Sequence, residues 1–229
     1  MASPLVRELR QALRYRNFMM RQAVRMKTKT TGLLMAAGVE YDAVRVHRQG
    51  YFAHLLDNLG EVPASVGDLL RTTRQGLEMF QGAQKRILDA LKKHRYLRDR
   101  IARLMTIGAV GEMTALTWAL EIDDPARFAN TKHAQSYCGL CSGRNESAGK
   151  NKRAPLSKQR NPHLQTILIE AAKLAPRYNP QLEQVHAHAI NELGYNRNRA
   201  TLAVARKLVC YLLAVDKSGQ DFTLNTDAS

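Results

Sequence analysis

Residues 144–160 read RNESAGKNKRAPLSKQR and set one hydroxyl, Ser147, among Arg144, Lys150, Lys152, Arg153, Lys158 and Arg160, with Glu146 the only acid. A serine oxygen is a weak nucleophile until it is positioned, offered a proton acceptor and given charge stabilisation for the transition state. Lys and Arg supply the last of these for phosphoryl chemistry. If nucleic acid binds at this stretch, the hydroxyl sits beside a phosphodiester. Two readings follow from the residue types: a covalent site, or a flexible loop that only grips the phosphate backbone. On composition Ser142 and Ser157 are equal claimants with Ser147.

Other reactive residue types are less well placed. Cys138 and Cys141 in CGLC have the spacing of a zinc knuckle or redox pair, but zinc takes four ligands. Cys210 stands alone in an apolar stretch, and His133 and His163 lack a paired spacing, so CGLC reads as a helix end and no metal ligand is assigned. His186 and His188, two apart, fall on different faces of a helix. Three cysteines cannot build a disulfide framework, which points to a reducing, cytoplasmic setting.

The chain has 229 residues, with 35 Lys and Arg against 20 Asp and Glu, a net charge of +15. A pI near 10.1 is the footprint of a protein that neutralises phosphates and releases their counterions. Charge kept for solubility, or for anionic lipid, is the alternative. The clustering of the cations along the chain favours nucleic acid. The apolar run from Gly32 to Val39 is far short of the ~20 residues that a membrane span needs, so none is expected.

The elements that must position these residues read as all-α. Leu5, Leu9, Leu13, Met20, Val24, Leu33 and Leu34 recur mostly at helical spacing, which predicts one amphipathic helix from Pro4 to Ala37. Arg7, Arg10, Arg14, Arg16, Arg21, Arg25, Lys27 and Lys29 lie on its other faces, either a solvated surface or a rail for phosphate. A loop with a short helix near Val44–Asp57 follows. Ser65 is the expected cap of a second long helix reaching Met105, its heptad seam formed by Val66, Thr73, Phe80, Ile87, His94 and Ile101 beside Leu70, Leu77, Gln84, Leu91, Arg98 and Met105. The pattern fits a coiled-coil dimer or an antiparallel helical hairpin equally. Together these form an arm, 1–104, followed by a compact helical domain, 105–229.

Within that domain, IGAVG ahead of a helix from Glu112 to Ile122 reads as a helix-hairpin-helix-like element that offers backbone N–H groups near Gly111 to phosphate, or as a helix corner with glycines for close packing. Asp124 before Pro125, Asn130 before Thr131 and Asn161 before Pro162 are helix-start signals. The stretch from Cys141 to Arg160 is expected as an irregular basic loop. A final long helix, broken at Gly194, is expected from Pro180 to Val215.

From Ile107 onward the sequence resembles the C-terminal domain of the DEDD-type insertion-sequence transposases that include the Piv invertase, the "IS one-ten" group. The likeness runs along TIGAVGEMTALTWALEIDDPARF, TKHAQSYCGL, NESAGKNKRAPLSKQRNPHLQTILIEAA and RATLAVARKLVCYLLAV. The N-terminal VRELRQALRYRNFMMRQAVRMKTKTTGLL is similar to the family's helical segment. The resemblance implies a serine in a Ser-Gly-Gly-Lys-like context that attacks DNA and forms a covalent Ser–DNA link. Ungapped counting from Gly139 to Lys150 puts that serine at Ser147. It further implies backbone contact and helix entry at Lys158 and Asn161, and with the basic residues of the stretch and the IGAVG turn the expected nucleic-acid contacts are Arg144, Gly149, Lys150, Lys152, Arg153, Lys158, Arg160, Asn161 and Gly111.

The sequence departs from the family pattern at Ala148, Ala109 and Arg160, each where glycine is usual, so each would strain a turn or obstruct a close approach. The resemblance implies that family members begin with a RuvC-like domain whose DEDD carboxylates bind metal, and these residues are expected to correspond to the part that follows it. Mg2+ is therefore expected only with that domain and no cofactor within these residues. The implied function is DNA transposition by a mobile-element recombinase, truncated and weakly active alone, with DNA and a guide RNA as partners and a dimer or tetramer formed through the arm. The alternative is a non-catalytic nucleic-acid-binding remnant or regulator of a full-length transposase.

Overall fold

The computed structural model describes residues 3–60, 62–147, 150–156, 160–192 and 196–224, giving only the backbone of 143–147 and 150–155. The described residues are mainly α-helical, in agreement with the all-α expectation. They divide into two compact units, Gln11–Leu91 and Met1–Arg10 with Lys92–Ser229.

The Gln11–Leu91 unit is built on two long helices, α1 (Pro4–Ala36) and α3 (Ala64–Lys93), with α2 (Gln49–Asp57) beside them. Leu70, Leu77 and Leu91 of the expected seam are buried, and Val66, Thr73, Phe80, Gln84 and Ile87 are half-buried. Thr30 Oγ1 donates to Thr73 Oγ1 at 3.0 Å, and a Cβ on Gly76 would lie 3.1 Å from Met26 Sδ. Rising number on one helix against falling number on the other makes the pair antiparallel within one chain. Leu34, Val46, Phe52, Leu55 and Leu70 close the hairpin's loop end in a small core.

Three details differ from the periodic reading. The second helix stops at Lys93, because His94 takes extended φ/ψ (−68°, 119°) and its Nδ1 accepts from Tyr96 N at 3.3 Å, capping a new helix, α4 (Arg95–Leu104). A heptad seam reports burial and not backbone continuity, so it reads through such a break. Helix α3 begins at Ala64, with Val66 N bonded to Pro63 O at 2.9 Å, so Ser65 lies inside the first turn and not at the cap. Helix α2 begins only at Gln49, since Asp42 Oδ1 accepts from Val44 N and Arg45 N and folds that segment as a turn.

The other unit surrounds α5 (Glu112–Ile122), buried from Thr114 to Ile122. A helix apolar on every side belongs in the middle of a core. Helices α4 and α7 (Pro162–Leu174) pack on it, and α9 (Arg197–Ser218) packs on α4, α7, α6 (Thr131–Tyr137) and α8 (Pro180–Glu192). Asn130, Asn161 and Asn196 cap α6, α7 and α9 through side-chain oxygens, and Asp124 does the same for a short 3-10 turn at Pro125–Arg127. Trp118 is fully buried, and its Nε1 donates to Asp216 Oδ2 at 2.9 Å. Arg100 holds the same carboxylate through two bonds of 2.7 and 2.6 Å.

Candidate nucleic-acid interface

The basic segment is not an irregular loop. It forms an antiparallel pair, β1 (Ser142–Ser147) and β2 (Lys150–Leu156), with a register irregularity between Ser142 and Arg144. Arg144 pairs with Arg153, Asn145 with Lys152, Glu146 with Asn151 and Ser147 with Lys150. The loop expectation failed because the segment carries repeated Gly, Asn and Lys and a Pro, all poor strand formers, and lacks apolar alternation. Backbone pairing across the hairpin satisfies the polar main chain regardless. Ser147 and Lys150 make the last described pair, while Gly149, Lys158, Ala148 and Ser157 lie outside the described residues.

The root of this hairpin is fastened by polar bonds from several directions. Gln165 Nε2 on α7 donates to Gly139 O at 2.6 Å, and Arg206 Nε on α9 donates to Leu140 O at 2.8 Å. Asn161 N donates to Tyr137 O at 3.1 Å, tying the outgoing chain to the end of α6. Asn161 itself is buried: its Oδ1 accepts from His163 N and Leu164 N, and its Nδ2 donates to Glu121 Oε2 at 2.8 Å. Both ends of that amide are therefore committed within the fold. Glu121 is 1% exposed, lies 3.8 Å from Arg10 Nε, and its backbone carbonyl accepts from Tyr137 Oη at 3.2 Å.

Sequence reasoning missed Glu121, Tyr137, Gln165 and Arg206. A lone acid inside TALTWALEI was the one signal available, since a buried carboxylate requires partners.

Gly139 and Arg160 meet directly. Gly139 has φ +73°, and a Cβ there would fall 2.5 Å from Arg160 Cβ. The glycine at 139 thus makes room for the bulky residue at 160, whose side chain is exposed. Ala109 adopts φ +76°, so the strain expected of a non-glycine in the turn between α4 and α5 is present. Gly108 in that turn is required by packing, because a Cβ would lie 2.6 Å from the backbone oxygen of Tyr178. Gly111 is exposed at the N-cap of α5 with ordinary φ of −79°. The first turn of α5 already carries an acid, Glu112, paired with Lys92 at 2.8 Å, which a phosphate at this helix start would have to displace.

Cys138 is fully buried at the end of α6, where burial pushes its thiol up to about 12 despite the opposing pull of Arg127. Cys210 Sγ donates to Arg206 O. Among the described residues no group of three or more His, Cys, Asp and Glu is placed to hold a metal ion. The two most enclosed carboxylates, Glu121 and Asp216, are already engaged by Asn161 and Arg10 and by Arg100 and Trp118. The described donor set does not fit Mg2+. No helix among the described residues is long and apolar enough to cross a membrane.

Residues 101–187 match the model of the Transposase IS116/IS110/IS902 family. The matched span takes in α5, α6, the hairpin and α7, with Gly111, Ser147 and Asn161 inside it. The chain is 24% identical over 144 residues to a protein of Pseudomonas aeruginosa named as a family 20 transposase, covering 63% of this chain and 43% of that one. It is 23% identical over 171 residues to a protein of Sinorhizobium fredii named as transposase y4qE, covering 70% and 44%. The chain thus matches less than half the length of these relatives. The similarities support a transposase of a mobile element.

Proposed function

We propose that the chain serves DNA transposition through Ser147, whose hydroxyl attacks a DNA phosphodiester while the basic hairpin holds the backbone. The Oγ–P bond forms as one P–O ester bond breaks, and the departing deoxyribose oxygen takes up a proton. Arg144, Lys150, Lys152 and Arg153 neutralise the phosphates on either side, with Gly149, Lys158 and Arg160 extending the contact. Asn161 contributes by starting α7 and rooting the hairpin. The observation that carries the reading is the register Ser147↔Lys150 at the far end of a hairpin whose root is pinned to α6, α7 and α9. A rigid support brings a nucleophile to the reacting atom repeatedly.

A non-catalytic, backbone-gripping role is the second reading. The density of cations in the hairpin favours it, since gripping the backbone needs only those charges and no acceptor for a serine proton. Incubation with element-end DNA and RNA, then denaturation, separates the two. The serine reading expects a covalent protein–DNA adduct that vanishes in Ser147→Ala. An adduct unchanged in that variant, or no adduct with DNA still bound, discards the nucleophile and leaves the grip.

A further inference from the structure

Helix α1 carries a second, independent surface on its outer side. Leu13, Met19, Ala23, Thr30 and Leu34 face inward and are buried. Arg14, Phe18, Arg21, Arg25 and Lys29, spaced by four, three, four and four, fall on one exposed stripe of the same helix. At a rise of about 1.5 Å per residue the stripe runs roughly 22 Å. Tyr15 stands beside it, 56% exposed, its ring 5.9 Å from that of Phe18, which is 41% exposed, with 29° between the planes. Past Phe18 the stripe borders a shallow, open groove on the surface of α1 itself, whose described lining runs from Gln22 to Leu33 and includes Arg25, Met26 and Lys29. No Cβ at Gly32 would meet another atom within 4 Å, so the groove is open there.

We propose that this stripe is a binding track for single-stranded nucleic acid, with unpaired bases stacking on Tyr15 and Phe18 and the backbone following Arg21, Arg25 and Lys29 into the groove. Exposed rings interleaved with cations are what a strand with free base faces requires, whereas a duplex hides those faces and needs only the cations. A purely solvated helix face gains nothing from two exposed aromatic rings. A second copy docking through the same stripe would set cation against cation, because residues 1–30 hold a single acid, Glu8. The site does not depend on the chemistry assigned to Ser147.

The test uses the full chain, with labelled oligo-dT, labelled oligo-U and a duplex of equal length, read by fluorescence anisotropy. Tyr15→Ala with Phe18→Ala is expected to weaken single-strand binding about tenfold or more and to leave duplex affinity within about twofold. Phe18→Trp should retain the affinity, which shows that a ring is needed. Arg21→Ala with Arg25→Ala should reduce the slope of log K against log salt for single strands by about 1.4. The Ser147-dependent adduct on duplex DNA is scored separately and should survive in all three variants. Loss on both single strands, or on only one of them, supports the track and states which sugar it accepts. The proposal is overturned if the double aromatic variant binds single strands like the parent protein. It is overturned equally if that variant instead changes the sedimenting mass or the capture of the chain on anionic phosphatidylserine vesicles.

Discussion

Ala109 and Gly139 take the same left-handed backbone with different side chains. Ala109 sits at φ +76°, a conformation that costs an L side chain about 1–2 kcal/mol, and Gly139 at φ +73° escapes that cost. Ala109→Gly is therefore expected to raise the unfolding free energy by about 1 kcal/mol, read from urea denaturation. Gly139→Ala should lower it by about 2 kcal/mol or more, since strain and the 2.5 Å approach to Arg160 Cβ add together. Cys138 gives a pH test. Its thiol stays protonated in the fold up to about 12, but ionises from about 9 once unfolded. The unfolded chain then binds fewer protons, so stability should fall as pH rises from 9 towards 12, by about 1.4 kcal/mol per unit from this group. Comparing Cys138→Ala with the parent across that range isolates this contribution: the variant's decline should be shallower by one proton.

Among the elements, α5 matters most, because this buried helix carries Glu121, whose carboxylate accepts from Asn161 at the hairpin root. Asn161 joins that acid to the start of α7. Asn161→Ala removes a helix cap and takes the Nδ2 donor from the Glu121 carboxylate, at an expected cost of about 2–4 kcal/mol. Asn161→Asp would keep the cap but set a second carboxylate against Glu121, so it should rescue little of that loss. Asp216 plays the matching part on α9, accepting from Arg100 and Trp118 while 3% exposed. Asp216→Ala is expected to cost about 3–5 kcal/mol, since it strands a half-enclosed guanidinium, and a thermal melt checks it.

For the whole molecule the governing quantity is charge. A net +15 on 229 residues makes any nucleic-acid affinity steeply dependent on salt. If the hairpin grips duplex phosphate, replacing Lys150, Lys152 and Arg153 by Ala should lower the slope of log K against log salt by about 2.7. Filter binding of duplex DNA across a salt series measures it, and an unchanged slope would place the duplex elsewhere on the protein. The division into units has its own meaning for such tests. The hairpin lies in one unit and the outer stripe of α1 in the other, so their variants change residues of different units.

Several helices and caps were legible in the sequence, since Leu13, Leu34, Leu70 and Leu77 recur at the period of one helix face and Asn130, Asn161 and Asp124 stand where free N–H groups need an acceptor, whereas the break and cap at His94 were not. Both are local effects, decided by residues within a turn or two of each other. Ser147 was singled out by register with a family motif, which composition alone left level with Ser142 and Ser157. Only the tertiary structure decided that the basic segment is a paired hairpin, that its root is held by Glu121, Gln165 and Arg206, and that Gly139 makes way for Arg160. Those contacts join residues 21–66 positions apart, and satisfying a buried polar group depends on what the fold brings beside it, which no local pattern records.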